Sequence, residues 1–273
     1  MTPASGIDPD LTRKERREQA RTERKAIEAA AAQSARRTRM LQLGGVIGAA
    51  VVIIVVILLA TSGGKKEGIP TTSSQKSSEV TAVSSLIKGI PQSGNVLGNP
   101  NAPVTLQYFG DLECPICKEF TLSVLPTLIP KYVRTGKMKI EYHSLETATR
   151  EQETFRTQQV AALAAGKQNL AWYYIELFYH EQGTEDSGYV TESYLQGLAQ
   201  QVPGLNLPNW SAARNDPALA EQVTTDAQTA TSQGFNGTPS FLIGKTGGKL
   251  LPFKPESFSE PSAYTPTIDK LLS

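Results

Sequence analysis

The sequence predicts an α/β globular domain carried behind a single membrane-spanning helix. Three observations lead there. Residues 41–60, LQLGGVIGAAVVIIVVILLA, form an uncharged run of about 20 residues, the length that crosses bilayer hydrocarbon as a helix. Residues 104–143 read as strand, helix, strand, an order that implies a right-handed parallel crossover. From about residue 150 to 233, apolar residues recur every three or four positions, as in packed helices.

The charge is formally +1 but unevenly spread: the first 66 residues carry 12 Lys and Arg against 6 acids, the remainder 15 against 20. An arginine-rich arm, residues 1–40, precedes the apolar run. The positive-inside bias places this N-terminal arm in the cytoplasm and everything after the span outside, as in a single-pass protein of the cell membrane. Lys65 and Lys66 weaken that asymmetry without reversing it. A cleaved signal peptide has a shorter apolar region and a shorter basic start, and Leu59–Ser62 makes a poor cleavage site, so residues 41–61 read as a retained anchor. No aromatic residue interleaves the basic ones of the arm; nucleic acid is not expected as a partner, and contact with anionic lipid accounts for the charge. Residues 62–92 are rich in Ser, Thr and Gly and read as a flexible tether.

The globular pattern starts at about Ser93 and continues to the C-terminus, residues 93–273. Val104–Phe109 alternates as a strand, and Gly110-Asp111 breaks it. Cys117, Phe120, Val124 and Leu128 then recur at helical spacing, with Pro126 expected to kink the helix and Gly136 to end it. Lys137–His143 alternates as a second strand. Helices follow from about Arg150 to Val202, one of them opened by a capping Thr191, and a helix pair spans Trp210–Gln233 with a break at Asp216-Pro217. Ser240–Gly244 is a third strand, Lys245–Gly248 a turn, Lys249–Leu251 an antiparallel return, and Thr267–Leu272 a last helix.

Both cysteines lie in Gly110–Phe120, GDLECPICKEF, at the junction of the first strand and the helix after it. Backbone N–H groups and the dipole at a helix start stabilise a thiolate at Cys114, and Cys117 sits one turn along, close enough to bond to it. Pro115 fits the first helical turn, which has no N–H partner to lose. A disulfide closing so small a ring constrains the unfolded chain little and suits opening and closing better than stapling. Other readings stay open on the residues alone. A zinc site would have to gather both cysteines with His143 and His180, without a second short-spaced pair, so no metal is expected. A Cys-His hydrolase would leave the second cysteine unexplained, and an inert oxidised pair is compatible with an extracytoplasmic location. His143 ends a strand and His180 lies on an aromatic helix, and both read as structural.

Gly237–Gly244, GTPSFLIG, resembles the segment of thioredoxin-fold proteins in which a cis-proline opens the strand facing the Cys-X-X-Cys loop. Together with Phe109–Cys117, FGDLECPIC, it resembles the DsbA-like thiol–disulfide oxidoreductases, particularly the membrane-anchored, actinobacterial-type form. The resemblance implies a thioredoxin fold with a helical insertion at about 150–233. It implies Cys114 as the exposed exchanging sulfur, Cys117 as its resolving partner, Pro115 and Ile116 as the active-site loop, and Thr238 with a cis-Pro239 as a platform for an extended substrate peptide. The implied activity is protein-disulfide oxidoreduction, chiefly disulfide formation in unfolded or secreted proteins; reduction or isomerisation, or a redox-inert tethered interaction module, are the alternatives. No bound cofactor is implied, and reoxidation falls to a membrane quinone-linked partner of DsbB or vitamin K epoxide reductase type.

Two departures from that family bear on the chemistry. Ile116 offers neither hydrogen bond nor positive charge between the cysteines, and Asp111 and Glu113 are acids expected to raise the pKa of Cys114, so a moderate oxidant is predicted. Tyr108 stands six residues before Cys114, where many relatives carry a buried acid. Asn209 and Asn236 match the glycosylation pattern by chance.

Overall fold

The computed structural model describes residues 73–273. The basic arm, the expected span 41–61 and the first part of the tether lie outside the described residues, among which no helix is long and apolar enough to cross a membrane.

The described chain builds one six-stranded sheet in the order β1-β2-β4-β3-β5-β6. β3 (Val104–Gly110) lies at its centre, parallel to β4 (Met138–Ser144) and antiparallel to β5 (Ser240–Lys245). β6 (Leu251–Phe253) returns along β5, and the short hairpin of β1 (Gln92–Ser93) and β2 (Val96–Leu97) covers the far edge of β4. The return strand is thus two residues later than the sequence predicts, because the turn is wider: a side chain at Gly244 would meet the Lys249 carbonyl at 2.8 Å, so the chain crosses there before pairing resumes at Leu251.

Alternation sorts β4 between two layers. Met138, Ile140 and Tyr142 join Val104, Leu106 and Tyr108 of β3 in the larger core, while Lys139, Glu141 and His143 point to the other face. There Phe109, Leu145, Leu242 and Ala230 form a smaller cluster.

Helices cover both faces. The tether expected at 62–92 is corrected by α1 (Ser73–Ile87), a helix whose Val83 and Ile87 are buried in the larger core; Val80, Val83 and Ile87 recur at helical spacing and make a narrow apolar stripe in an otherwise polar segment. After β3, α2 (Pro115–Ser123) gives way at Val124 to α3 (Leu125–Leu128) and a π turn, Ile129–Val133. The expected kink falls two residues early because Pro126 lacks an N–H and is tolerated only in the first turn of a new segment. The insertion holds α4 (Gln152–Gly166), α5 (Ala171–His180), α6 (Glu192–Gln201), α7 (Leu207–Ala213) and α8 (Pro217–Ser232). Thr191 caps α6 and Asp216 caps α8, each accepting a backbone N–H of the first turn. The last helix, α9 (Thr265–Leu272), buries Ile268.

Candidate active site

The register of the sheet assembles the site. Phe109 pairs with Ser240 at the end of β3, so the residues leaving β3 and those entering β5 meet at one edge. The first are Gly110–Cys114 and the second Thr238-Pro239, whose peptide bond is cis. Gly110 is required at this corner: a Cβ there would lie 2.9 Å from the Tyr142 ring and 3.0 Å from the Tyr108 hydroxyl.

Cys114 is the N-cap of α2, and its sulfur accepts the backbone N–H of Cys117 at 3.4 Å. Pro115 occupies the first turn, as its missing N–H permits. Both cysteines are free thiols, and they differ sharply in surroundings. Cys117 is sealed at 0% exposure, whereas Cys114 keeps 5% and Ile116 beside it is 41% exposed. Cys114 is therefore far less open than the sequence predicts; its thiol points at the Thr238 carbonyl, 3.5 Å away, and the strand entering β5 covers it.

The Cys114 thiol is lowered to about 7, chiefly because the Cys117 thiol donates to its sulfur; burial opposes this, and the Thr238 side chain and the backbone N–H groups of Cys117 and Ile116 assist. Burial pushes Cys117 well above the ordinary thiol range, and the neighbouring Cys114 adds to the rise. The expected influence of Asp111 and Glu113 on Cys114 is corrected: neither ranks among the main causes of its shift. The Asp111 carboxylate turns away into the loop after β4, accepting the backbone N–H groups of Thr147, Ala148 and Thr149 at 2.9–3.1 Å and the Thr149 hydroxyl at 2.7 Å. Glu113 is buried, and that burial raises its own carboxyl.

Several supports escaped sequence reading. The Gln182 amide donates to the carbonyls of Leu112 at 2.7 Å and Cys114 at 3.1 Å, gripping the loop from the insertion. The Thr147 hydroxyl bonds that of Thr238. Gln158 reaches Thr149 at 2.8 Å. His143, by contrast, stands on the other face with Asp226 at 2.8 Å and Phe109 stacked on its ring, and His180 belongs to α5 beside Lys118. Among the described residues, no three His, Cys, Asp or Glu side chains come together as a metal site. Next to Thr238-Pro239 opens a groove of about 500 Å³ with aromatic walls, including Phe235, Phe253 and Phe258.

Comparison with known proteins places this geometry. Residues 92–259 match the family described as Thioredoxin. Disulfide bond formation protein D of Bacillus subtilis is 24% identical over 191 residues, 68% of this chain and 78% of that protein, and the probable disulfide bond formation protein D of Bacillus cereus is 23% identical over 148 residues, 54% and 68% of the two chains. The fold is shared with oxidised BdbD of B. subtilis (TM-score 0.56, 22% identity, 67% of this chain and 97% of that one) and with α-DsbA1 of Wolbachia pipientis (TM-score 0.55, 21%, 70% and 95%). The chain belongs to the thioredoxin family and is a protein-disulfide oxidoreductase whose fold is shared with DsbA proteins.

Proposed function

We propose that this protein forms disulfides in unfolded or secreted proteins outside the cytoplasm, held at the cell membrane by residues 41–61. The observation that carries this reading is the unequal thiol pair: an N-cap sulfur lowered to about 7 beside the Thr238 carbonyl, and a second sulfur sealed behind it.

A substrate thiolate attacks the Cys114 sulfur of the oxidised enzyme; the new sulfur–sulfur bond forms as the internal one breaks, and the electron pair leaves on Cys117. A second substrate thiol, giving up its proton, attacks the substrate sulfur of the mixed disulfide and expels Cys114 as a thiolate. Substrate is oxidised, enzyme is reduced, and the released proton ends on Cys117. Thr238 and Pro239 supply the backbone edge along which an extended peptide lies, with affinity from the main chain and little sequence preference. The aromatic groove suits an apolar side chain flanking the substrate cysteine. A membrane quinone-linked partner of DsbB or vitamin K epoxide reductase type restores the disulfide.

The test is the Cys117→Ala variant expressed in its host. Mixed disulfides between Cys114 and exported proteins should accumulate, and the wild-type potential should lie well above that of a thioredoxin-like reductant, about −270 mV. A potential at or below that value assigns the reductase direction instead, and no captured adduct removes the enzymatic reading of the pair.

A further inference from the structure

The segment that carries the substrate platform has little backbone pairing of its own. Pairing of β5 with β3 begins at Ser240, opposite Phe109, so Thr238 and Pro239 stand ahead of the ladder, and Pro239 has no N–H to give. Among the described residues, Thr238 has two hydrogen-bonded neighbours: its carbonyl accepts the Cys114 thiol at 3.5 Å, and its hydroxyl meets that of Thr147. The first depends on oxidation state. A disulfide carries no S–H, so in the oxidised enzyme that meets substrate the Thr238 carbonyl is released from Cys114, and the Thr147 contact remains.

Thr147 sits on a fixed backbone. One oxygen of Asp111 accepts the backbone N–H groups of Thr147 at 3.1 Å, Ala148 at 2.9 Å and Thr149 at 2.9 Å. The other accepts the Glu113 N–H at 3.1 Å and the Thr149 hydroxyl at 2.7 Å, and the Gln158 amide donates to that hydroxyl at 2.8 Å. Ala148 and Thr149 are buried, whereas Thr147 is exposed. Its side chain leaves this cradle and bonds a residue 91 positions away. β-Branching leaves it few χ1 rotamers, which keeps the hydroxyl within reach of Thr238. The Asp111 carboxylate thus ties the residue before Cys114 to the loop that grips the residue before Pro239.

Resting on the platform proposed for Thr238 and Pro239, we infer that Thr147 is a positioning residue for the peptide substrate: its hydroxyl holds Thr238 in the oxidised enzyme, when the Cys114 thiol no longer does, so that the freed Thr238 carbonyl meets a backbone N–H of an extended chain. The contact favours a peptide and offers nothing to a thiol too small to reach past the sulfur.

The experiment compares the rates at which the oxidised full-length chain is reduced by an unstructured peptide carrying two cysteines and by dithiothreitol, read by acid quench and alkylation. Thr147→Val keeps the shape and deletes the hydroxyl; the peptide-to-dithiothreitol rate ratio should fall about three- to tenfold, the worth of one hydrogen bond. Thr147→Ser returns the hydroxyl and should restore the ratio to within about twofold of wild type. Thr238→Val removes the other half of the bond and should lower the ratio likewise, while the double variant should fall no more than about twofold below the lower single one. A fall of less than about threefold in Thr147→Val overturns the inference, as do a Thr147→Ser variant equally impaired and losses that multiply in the double variant. Thr238→Val, whose ratio must fall too, tests the contact should Thr147→Val not fold. A wild-type chain that leaves the peptide reduced overturns the proposed function itself, a distinct outcome.

Discussion

The thiol donated by Cys117 is the largest influence lowering Cys114, so its removal has a calculable consequence. The drop from 9.0 to about 7 corresponds to about 2.7 kcal/mol favouring the thiolate. Cys117→Ala deletes the leading contribution, and the Cys114 midpoint should climb from about 7 back towards the ordinary thiol range. The sign for stability follows: the folded thiol ionises below the unfolded one at about 8.5, so the reduced protein gains stability as pH rises from about 7 to 8.5 and loses that gain below 7. At pH 7 the group is half ionised and the gain is only about 0.4 kcal/mol, or roughly 10 mV in potential, which is why a moderate oxidant is expected. The assay is thiolate ultraviolet absorbance of the reduced protein against pH. It reads Cys114 cleanly, since Cys117 and the buried phenols Tyr108, Tyr142 and Tyr179 are all pushed upward. A wild-type midpoint near 9, or one that Cys117→Ala leaves in place, would refute the assignment of the shift to the shared proton.

Glu176 is sealed on α5 with neither carboxyl oxygen partnered among the described residues, and burial raises it to about 8; the folded form keeps its proton while the unfolded chain ionises above about 4.3. Stability should therefore fall by about 3 kcal/mol between pH 5 and 7.5, and Glu176→Gln should flatten that slope in urea titrations. Asp111→Asn takes away a carboxylate that receives four backbone N–H groups, and should lower the urea-derived stability by about 3 kcal/mol while loosening the loop that carries Thr147. Gln182→Ala removes the donors to Leu112 and Cys114 and should cost about 1–2 kcal/mol, with increased amide exchange confined to residues 112–118. Burial opposes a charge on His143, but hydrogen bonds to Asp226 and Glu141 prevail and raise it to about 9; that stabilisation is complete below pH 6.5 and lost through pH 9, so Asp226→Asn should destabilise most at pH 6 and least at pH 10.

What was legible in the chain was local. Cys114, Pro115 and Cys117 lie within one helical turn, and Thr238-Pro239 adjoins a strand whose apolar run is unmistakable, so both halves of the site could be read from neighbouring residues. The donors that tie Asp111 to the loop after β4 could not, because they come from residues 36 to 38 positions away, and Gln182 grips the loop across 68 and 70. No periodicity marks such pairs. α1 hid for another reason: Ser and Thr dominate it, and its stripe of Val83 and Ile87 is too narrow to stand out from a tether. The strands β1 and β2 are two residues each, too short to show alternation.

The contrast between the two sulfurs cannot come from the helix dipole alone, since both lie within the first turn of α2 and share its field. It comes from where each side chain points. Cys114 caps the helix and collects donors; Cys117 spends its N–H on Cys114 and turns its sulfur into the aromatic core with Phe120 and Tyr108. One proton then serves both, lowering Cys114 by being offered and raising Cys117 by being kept. The identity of the attacked sulfur thus rests on burial, and any change that let water reach Cys117 would level the pair before it altered the fold.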